Sequence, residues 1–338
     1  MTITEHDWER LEADRHARGV TVRRVYPESV YDIFIAVRHP DGCRMLTLRV
    51  PPHDADEALR RLRALPRTRG LEMQLARLAD DGSELRVVLT DGSLREVFNP
   101  LAGDIAAAAR QAPGPAAAVL AAAGRFERWR RMLEQLDGTG LTPEARRGLF
   151  GELSILRGHL LPALPAAQAV AAWTGPAAAH QDFQLPGAAI EVKTSSGKEP
   201  QTRVISSERE LDPHGAAWLV LAGLSLDERR GGSGVSLNAA IESARDAVTD
   251  AAARSLLDDL LVRAGYLQSQ RNLYDEPRYT VRRECFWHVT GEFPRITEED
   301  LRPGVGDCRY RISTAGLDQY LMTAAQVGTV ITGSSPDE

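Results

Sequence analysis

Two alternating runs, residues 181–185 and 188–194, meet across Pro186-Gly187, and they constrain this chain more than any other feature. In Ala189-Ile190-Glu191-Val192-Lys193-Thr194 apolar and charged residues alternate. A period of two places Glu191 and Lys193 on one face of a strand, with Ile190 and Val192 on the other. Opposite charges on a strand built for burial are unfavourable unless they pair or bind something. If Pro186-Gly187 closes an antiparallel hairpin, Leu185 faces Ala188 and Asp182 faces Glu191. Directly opposed residues have Cβ atoms roughly 4.5–5.5 Å apart. Two carboxylates so placed destabilise a sheet and call for a compensating cation. Pro-Gly favours a type II turn, not the primed turns of two-residue hairpins, but a four-residue loop on the same centre keeps this register.

Lys193 is one of only two lysines, with Lys198, among 41 basic residues. Arginine serves everywhere else. Arginine stays protonated and presents a broad fork, whereas lysine is a compact, tunable point charge. The arginine and alanine bias reads as the mark of a GC-rich genome and does not explain why position 193 keeps a lysine.

The length of 338 residues points to two domains, and 43% apolar residues suffice for a sizeable core. A net charge of −6 argues against coating nucleic acid by charge alone and leaves room for a local basic groove. Cys43, Cys285 and Cys308 fit neither a disulfide framework nor a metal-ligand spacing, which points to a reducing cytoplasm. The N-terminus lacks a signal-peptide pattern, and the longest apolar stretch, 216–226, is too short to cross a bilayer. No membrane association is expected.

Residues 1–112 read as an α+β module, an adaptor or a DNA-binding unit. It has a helix over 5–17 and alternating segments at 21–26, 31–37 and 44–50. An amphipathic helix over 54–65 is capped by Asp54, and two or three strands lie between 71 and 98, with turns at Asp81-Gly82 and Asp91-Gly92. The Ala/Pro/Gly stretch 111–118 reads as a linker. Residues 113–338 form the second domain. A helix over 126–136 carries Arg125, Arg128, Arg130 and Arg131. Thr142-Pro143 starts another, running to about Leu161, with Leu149, Leu153, Leu156 and Leu160 as its apolar stripe. Glu152 falls about 40° from Leu156, on the margin of that stripe. Further on come strands at 216–224, 282–290 and 307–313, a long and breakable helix over 236–264, a closing helix over 317–325 and a frayed tail at 333–336.

The order is a helix with Glu152, a strand with Asp182, then a strand with Glu191-x-Lys193. It resembles the PD-(D/E)XK nuclease superfamily, through Asp182, eight intervening residues and Glu191-Val192-Lys193. Gly151-Glu152-Leu153, His180-Gln181-Asp182-Phe183, Ile190-Glu191-Val192-Lys193-Thr194, Phe286-Trp287-His288-Val289 and Phe293-Pro294-Arg295-Ile296 are similar to the bacterial PD-(D/E)XK motif proteins of phage-defence islands. Gln181 stands where the motif has proline, a position read as shaping a turn and performing no chemistry.

The resemblance implies an α/β fold with a restriction-endonuclease-like core, a central mixed β-sheet flanked by helices. It implies Mg²⁺, with Mn²⁺ as a substitute, held by Asp182, Glu191 and the carbonyl of Val192, and Glu152 as an outer ligand or the holder of a second ion. Lys193 would orient the attacking water and offset charge on the phosphate. Asp182, Glu191, Lys193 and Glu152 are thus the expected catalytic set of a DNA endonuclease in a restriction or phage-defence system. Expected partners are DNA, ATPase or methyltransferase products of the same locus, and a second copy for double-strand cleavage. The alternatives are a catalytically silent DNA-binding or scaffolding subunit, and an interaction module using its N-terminal part as adaptor.

Other readings stay open at this level. Glu191 and Lys193 alone fit a surface ion pair, and Glu152 alone fits a snorkelling helix residue. His180 shares strand parity with Asp182, and Thr194 and Ser195 are placed to steady the site by hydrogen bonds. Lys198 reads as a solvated charge or a DNA contact, and the Arg125–Arg131 cluster as a solvated face or a DNA-backbone contact. Tyr266, Tyr274, Tyr279, Trp287 and Phe293, with Arg282 and Arg283, read as core or as a base-stacking surface.

Overall fold

The computed structural model describes residues 3–14, 18–62, 64–68, 70–79, 82–135, 140–177, 179–197 and 202–333. The chain divides into two compact units, Met1–Gly138 with Leu267–Ser269, and Thr139–Tyr266 with Gln270–Glu338. Residues 15–17, Asp81, Leu136, Lys198 and 334–336, which carry some of the expectations above, lie outside the described residues.

In the first unit α1 (Glu5–Ala13) precedes β1 (Gly19–Val25), β2 (Ile33–His39) and β3 (Cys43–Val50). Then come α2 (Pro52–Arg61), β4 (Arg67–Thr68), β5 (Leu71–Arg77), β6 (Ser83–Leu89), α3 (Arg95–Arg110) and α4 (Pro115–Gln135). The strands form one antiparallel sheet in the order β1-β2-β3-β6-β5-β4. Alternate residues Ile33, Leu46, Leu48, Leu85 and Val87 pack against Ile105, Ala106 and Ala109 of α3 and Ala122 of α4. Of the stretch 111–118 read as a linker, residues 111–114 turn and the rest begins α4. Alanine is the best helix former, and here a small-residue face lets two helices lie close to a sheet. The chain turns between Arg110 and Pro115, Ala118 and Val119 are buried, and the division falls after Gly138 rather than after 112. The N-cap of α2 is Pro51, with Asp54 in the first turn. Two of the four arginines of the basic stretch are paired, and Arg128 and Arg131 are exposed. Arg130 pairs with Glu127 and Glu134, each at 2.5 Å, and Arg125 lies 3.5 Å from Asp104.

The second unit opens with α5 (Pro143–Ile155), where Thr142 Oγ1 accepts the N–H of Ala145 as cap. A wide turn at Leu156–Leu160, α6 (Leu161–Ala163) and α7 (Ala166–Ala172) follow. Next are β7 (Phe183–Leu185), β8 (Ala188–Ser195), β9 (Thr202–Ile205), β10 (Trp218–Arg229), β11 (Val235–Ser236), α8 (Leu237–Ala247) and α9 (Ala251–Arg263). Then come β12 (Arg278–His288), β13 (Tyr310–Ser313) and α10 (Ala324–Thr332). The long helix expected over 236–264 breaks before Asp250, whose side chain caps α9. The closing helix arrives later than expected, capped by Thr323. The central sheet runs β11-β12-β10-β8-β7, mixed as expected, with β8 parallel to β10 and the other pairs antiparallel. A small ribbon of β9 and β13 contributes Ile205 and Ile312 to a core with Leu219, Leu221, Trp287 and Phe293. Tyr266, Tyr274 and Tyr279 are buried as well, so these aromatics are core and not a stacking surface.

The helix α5 lies directly on β8. A Cβ on Gly151 would overlap Cγ2 of Thr194 and sit 3.4 Å from Cγ1 of Val192. Val192 and Thr194 therefore face α5, and by strand alternation Glu191 and Lys193 face away from it. Thr194 packs against the helix through its methyl, in place of the hydrogen-bonding role expected of it.

Alanine at position 151 gains about 1 kcal/mol of helix propensity, but overpacking of this kind costs about 1–3 kcal/mol. Gly151→Ala is therefore expected to lower the thermal midpoint. Adding Thr194→Ser removes the methyl in the way and is expected to restore much of the loss, as measured by a double-mutant unfolding cycle.

Candidate active site

The hairpin sets the geometry. Leu185 pairs with Ala188, Gln184 with Ala189 and Phe183 with Ile190, and continuing this register puts Asp182 opposite Glu191. Gly187, with φ +75°, adopts the left-handed conformation that a type II turn requires of its second central residue. At Asp182 the chain leaves the ladder. Its carbonyl accepts the N–H groups of Thr174 at 2.8 Å and Gly175 at 2.9 Å. Its Oδ2 accepts the N–H of Val192 at 2.8 Å, which folds the carboxylate back over the β8 backbone.

Glu191 is 3% exposed. The Lys193 Nζ lies 2.7 Å from Glu191 Oε1 and 2.6 Å from Glu210 Oε2. Glu210 stands in the turns after β9, where its Oε2 also accepts the N–H of Ser206 at 3.0 Å. Sequence reasoning missed Glu210. The run Glu208-Arg209-Glu210 looks like a charged surface loop, and no spacing ties it to Lys193.

Glu152 comes from the helix side. Its Oε2 accepts the indole N–H of Trp173 at 2.7 Å. A Cβ at Gly175 would lie 2.7 Å from Asp182 Oδ1 and 3.2 Å from Glu152 Oε2, so the glycine leaves a cradle between the two carboxylates. Asp182 thus stands at the sheet edge, with Glu152 on one side and the Glu191–Lys193 pair on the other. Gln181 does more than shape a turn. It is 3% exposed, and its Nε2 donates to the carbonyls of Arg209 and Asp212, each at 3.0 Å. It ties the loop that carries Glu210 to the residue next to Asp182. His180 stacks on His214 at 5.0 Å between ring centroids.

Burial dominates the electrostatics. It pushes the Asp182 carboxyl up to about 6, with Glu210 adding to the rise and Lys193 and the Val192 N–H opposing it. Burial and then the Asp182 charge raise Glu152 well above the carboxylate range, against the Trp173 hydrogen bond. Glu191 is raised by burial, Asp182 and Glu210, against Lys193. For Lys193 burial acts to depress the ammonium, but Glu191 and Glu210 together outweigh it and hold the group above its ordinary value. One ammonium thus serves four carboxyl groups, and the set lacks positive charge.

The donor set fits a hard divalent cation. Its carboxylate oxygens outnumber the one ammonium beside them, Glu191 is buried and Asp182, Glu152 and Glu210 are half-buried, and the Gly175 backbone approaches Asp182 where a Cβ would not fit. Asp182 and Glu191 are the two carboxylates that could hold such an ion, one folded over the Val192 N–H and the other on the adjoining residue of β8. Among the described residues no group of three or more His, Cys, Asp or Glu side chains is arranged to hold a metal. A site of two carboxylates matches Mg²⁺, which commonly binds one or two carboxylates plus substrate phosphate and water.

The mixed sheet, the helix carrying Glu152 and the Asp182–Glu191–Lys193 cluster define a restriction-endonuclease-like α/β core. The chain belongs to the family described as "Putative PD-(D/E)XK family member, (DUF4420)", and the match covers residues 4–315. No curated protein and no solved structure matches the chain.

A carboxyl raised above its unfolded value favours the folded state most at low pH, and that contribution is lost as pH rises through the folded value. The metal-free protein is therefore expected to lose stability between about pH 4 and pH 6, the interval over which Asp182 titrates. Mn²⁺ should raise the thermal midpoint at pH 7.5 and do little at pH 4.5. Asp182→Asn, which keeps an oxygen for the Val192 N–H, should stabilise the metal-free protein at pH 7.5, on the order of 1–3 kcal/mol.

Proposed function

We propose that this chain is a Mg²⁺-dependent DNA endonuclease of a bacterial restriction or phage-defence system, with Mn²⁺ able to substitute. The observation that carries the reading is the pairing of a half-buried Asp182 with a buried Glu191, with the Lys193 ammonium 2.7 Å from Glu191. Phosphodiester hydrolysis needs an activated water, stabilisation of charge on the phosphoryl oxygens and help for the leaving oxygen. Mg²⁺ held by Asp182, Glu191 and the Val192 carbonyl would supply Lewis-acid stabilisation of that charge.

The protein's own groups divide the rest. Lys193, kept protonated by its two carboxylate partners, would orient the attacking water and offset negative charge on the phosphate. The Val192 N–H fixes the Asp182 carboxylate, leaving Oδ1 toward the Gly175 cradle. Glu152, fixed by Trp173, would serve as an outer partner to Asp182. The first unit would act as adaptor or DNA-binding module, with ATPase or methyltransferase products of the same locus and a second copy of the chain as partners. Among the described residues no helix is long and apolar enough to cross a membrane.

One observation favours a second reading, a catalytically silent DNA-binding or scaffolding subunit. The described residues hold no ready-made cluster of three metal-ligating side chains. The two readings part on a metal-dependent cleavage assay with modified and unmodified phage DNA, with and without the neighbouring gene products.

Under the endonuclease reading, Lys193→Ala and Asp182→Asn each lower cleavage roughly 100-fold or more while circular dichroism shows an intact fold. Undiminished Mg²⁺-dependent nicking by both variants would sink the assignment.

A further inference from the structure

We propose that Glu210 is a positioning residue that keeps Lys193 at the site when a divalent cation takes up Glu191, so that ion and ammonium are held there together. This deepens the metal-dependent reading above and rests on it. Lys193 Nζ is shared almost equally, 2.7 Å from Glu191 Oε1 and 2.6 Å from Glu210 Oε2. The carboxylate that would hold the ion therefore also holds the ammonium. A divalent cation beside Glu191 repels an ammonium within hydrogen-bonding distance of the same group, and in a buried setting that repulsion is weakly screened. With Glu191 as sole partner, Lys193 would either oppose the ion or lose its place. Glu210 removes the conflict by giving the ammonium a second anchor.

The anchor is built without Lys193. Glu210 Oε2 accepts the Ser206 N–H at 3.0 Å, so the carboxylate is aimed by the backbone of its own turn. The flanking carbonyls of Arg209 and Asp212 both accept from Gln181 Nε2 at 3.0 Å. Leu211, the next residue, is fully buried in the core beneath the β9–β13 ribbon. The loop is thus clamped on both sides of Glu210, and one clamp is the sequence neighbour of Asp182. The side chain that holds Lys193 and the one that would hold the ion are set in one hydrogen-bonded frame.

Neutralising Glu210 removes a nearby negative charge as well as the anchor, so the charge-neutral change Gln181→Met, which loosens the same loop, separates positioning from charge. The test is Mn²⁺ binding by titration calorimetry on the full chain, comparing wild type with Glu210→Gln and Gln181→Met, each with a thermal melt. Glu210→Gln keeps an oxygen for the Ser206 N–H and the side-chain volume while removing the charge. The expected result is a Mn²⁺ Kd raised roughly 10–100-fold, the range typical when a group that orients metal ligands is removed. Gln181→Met should shift it in the same direction by less. In cleavage, kcat should fall with the KM for DNA little changed. If wild type binds Mn²⁺ and Glu210→Gln binds it equally well, the role of Glu210 is overturned while the metal site stands. If wild type binds no Mn²⁺, the metal reading falls and takes the role of Glu210 with it. Should Glu210→Gln fail to fold, Gln181→Met decides: a weakened affinity supports the proposal, and an unchanged one overturns it.

Discussion

The charge balance around one ammonium governs the rest of this structure. Lys193 lies on a strand whose neighbours are buried, between two carboxylates at 2.6 and 2.7 Å. Removing one partner of a buried ion pair costs about 3–5 kcal/mol, because the remaining charge stays in a poor solvent. Here the crowding is present in the intact protein, since Asp182 and Glu152 bring two further carboxyl groups near the one ammonium and both are pushed toward their protonated forms. A divalent cation beside these groups would favour their ionised forms over the protonated ones.

The scaffold holds that crowding in place. The parallel pair β8–β10 lies inside the sheet, α5 rests on one face at glycine contact distance, and the β9–β13 ribbon and its core cover part of the other. Backbone donors fix two of the four carboxylates: the Val192 N–H holds Asp182 and the Ser206 N–H holds Glu210. Side chains hold the other two, the Trp173 indole for Glu152 and the Lys193 ammonium for Glu191.

Much of this is legible in the sequence. The Asp182–Glu191 register follows from period two and a turn centre, because strand pairing is arithmetic once the turn is placed. Thr142 as cap and Glu152 at the margin of its helix follow from local rules of equal simplicity. Three things are not legible, each for a physical reason. The stretch 111–118 has the composition of both a helix and a linker; residues 111–114 turn, and from Pro115 the chain is helix with Ala118, Val119 and Ala122 buried. Glu210 reaches Lys193 through a loop whose path is set by Gln181, and a long-range contact made by a polar loop leaves no periodic trace. The tyrosines and Trp287 carry the same residue types whether they stack on bases or fill a core, and burial alone separates the two.

The position of Asp182 just beyond a three-residue outermost strand has a further consequence for access. Charged groups on the rim of a sheet cannot enclose a compact molecule on every side. A long polyanion does not need enclosing; it needs only to run past the rim with one repeating unit in contact. Under the endonuclease reading, such a rim would favour length and outline over the detailed shape of any single unit, and discrimination between one sequence and another would fall to surfaces away from the carboxylates.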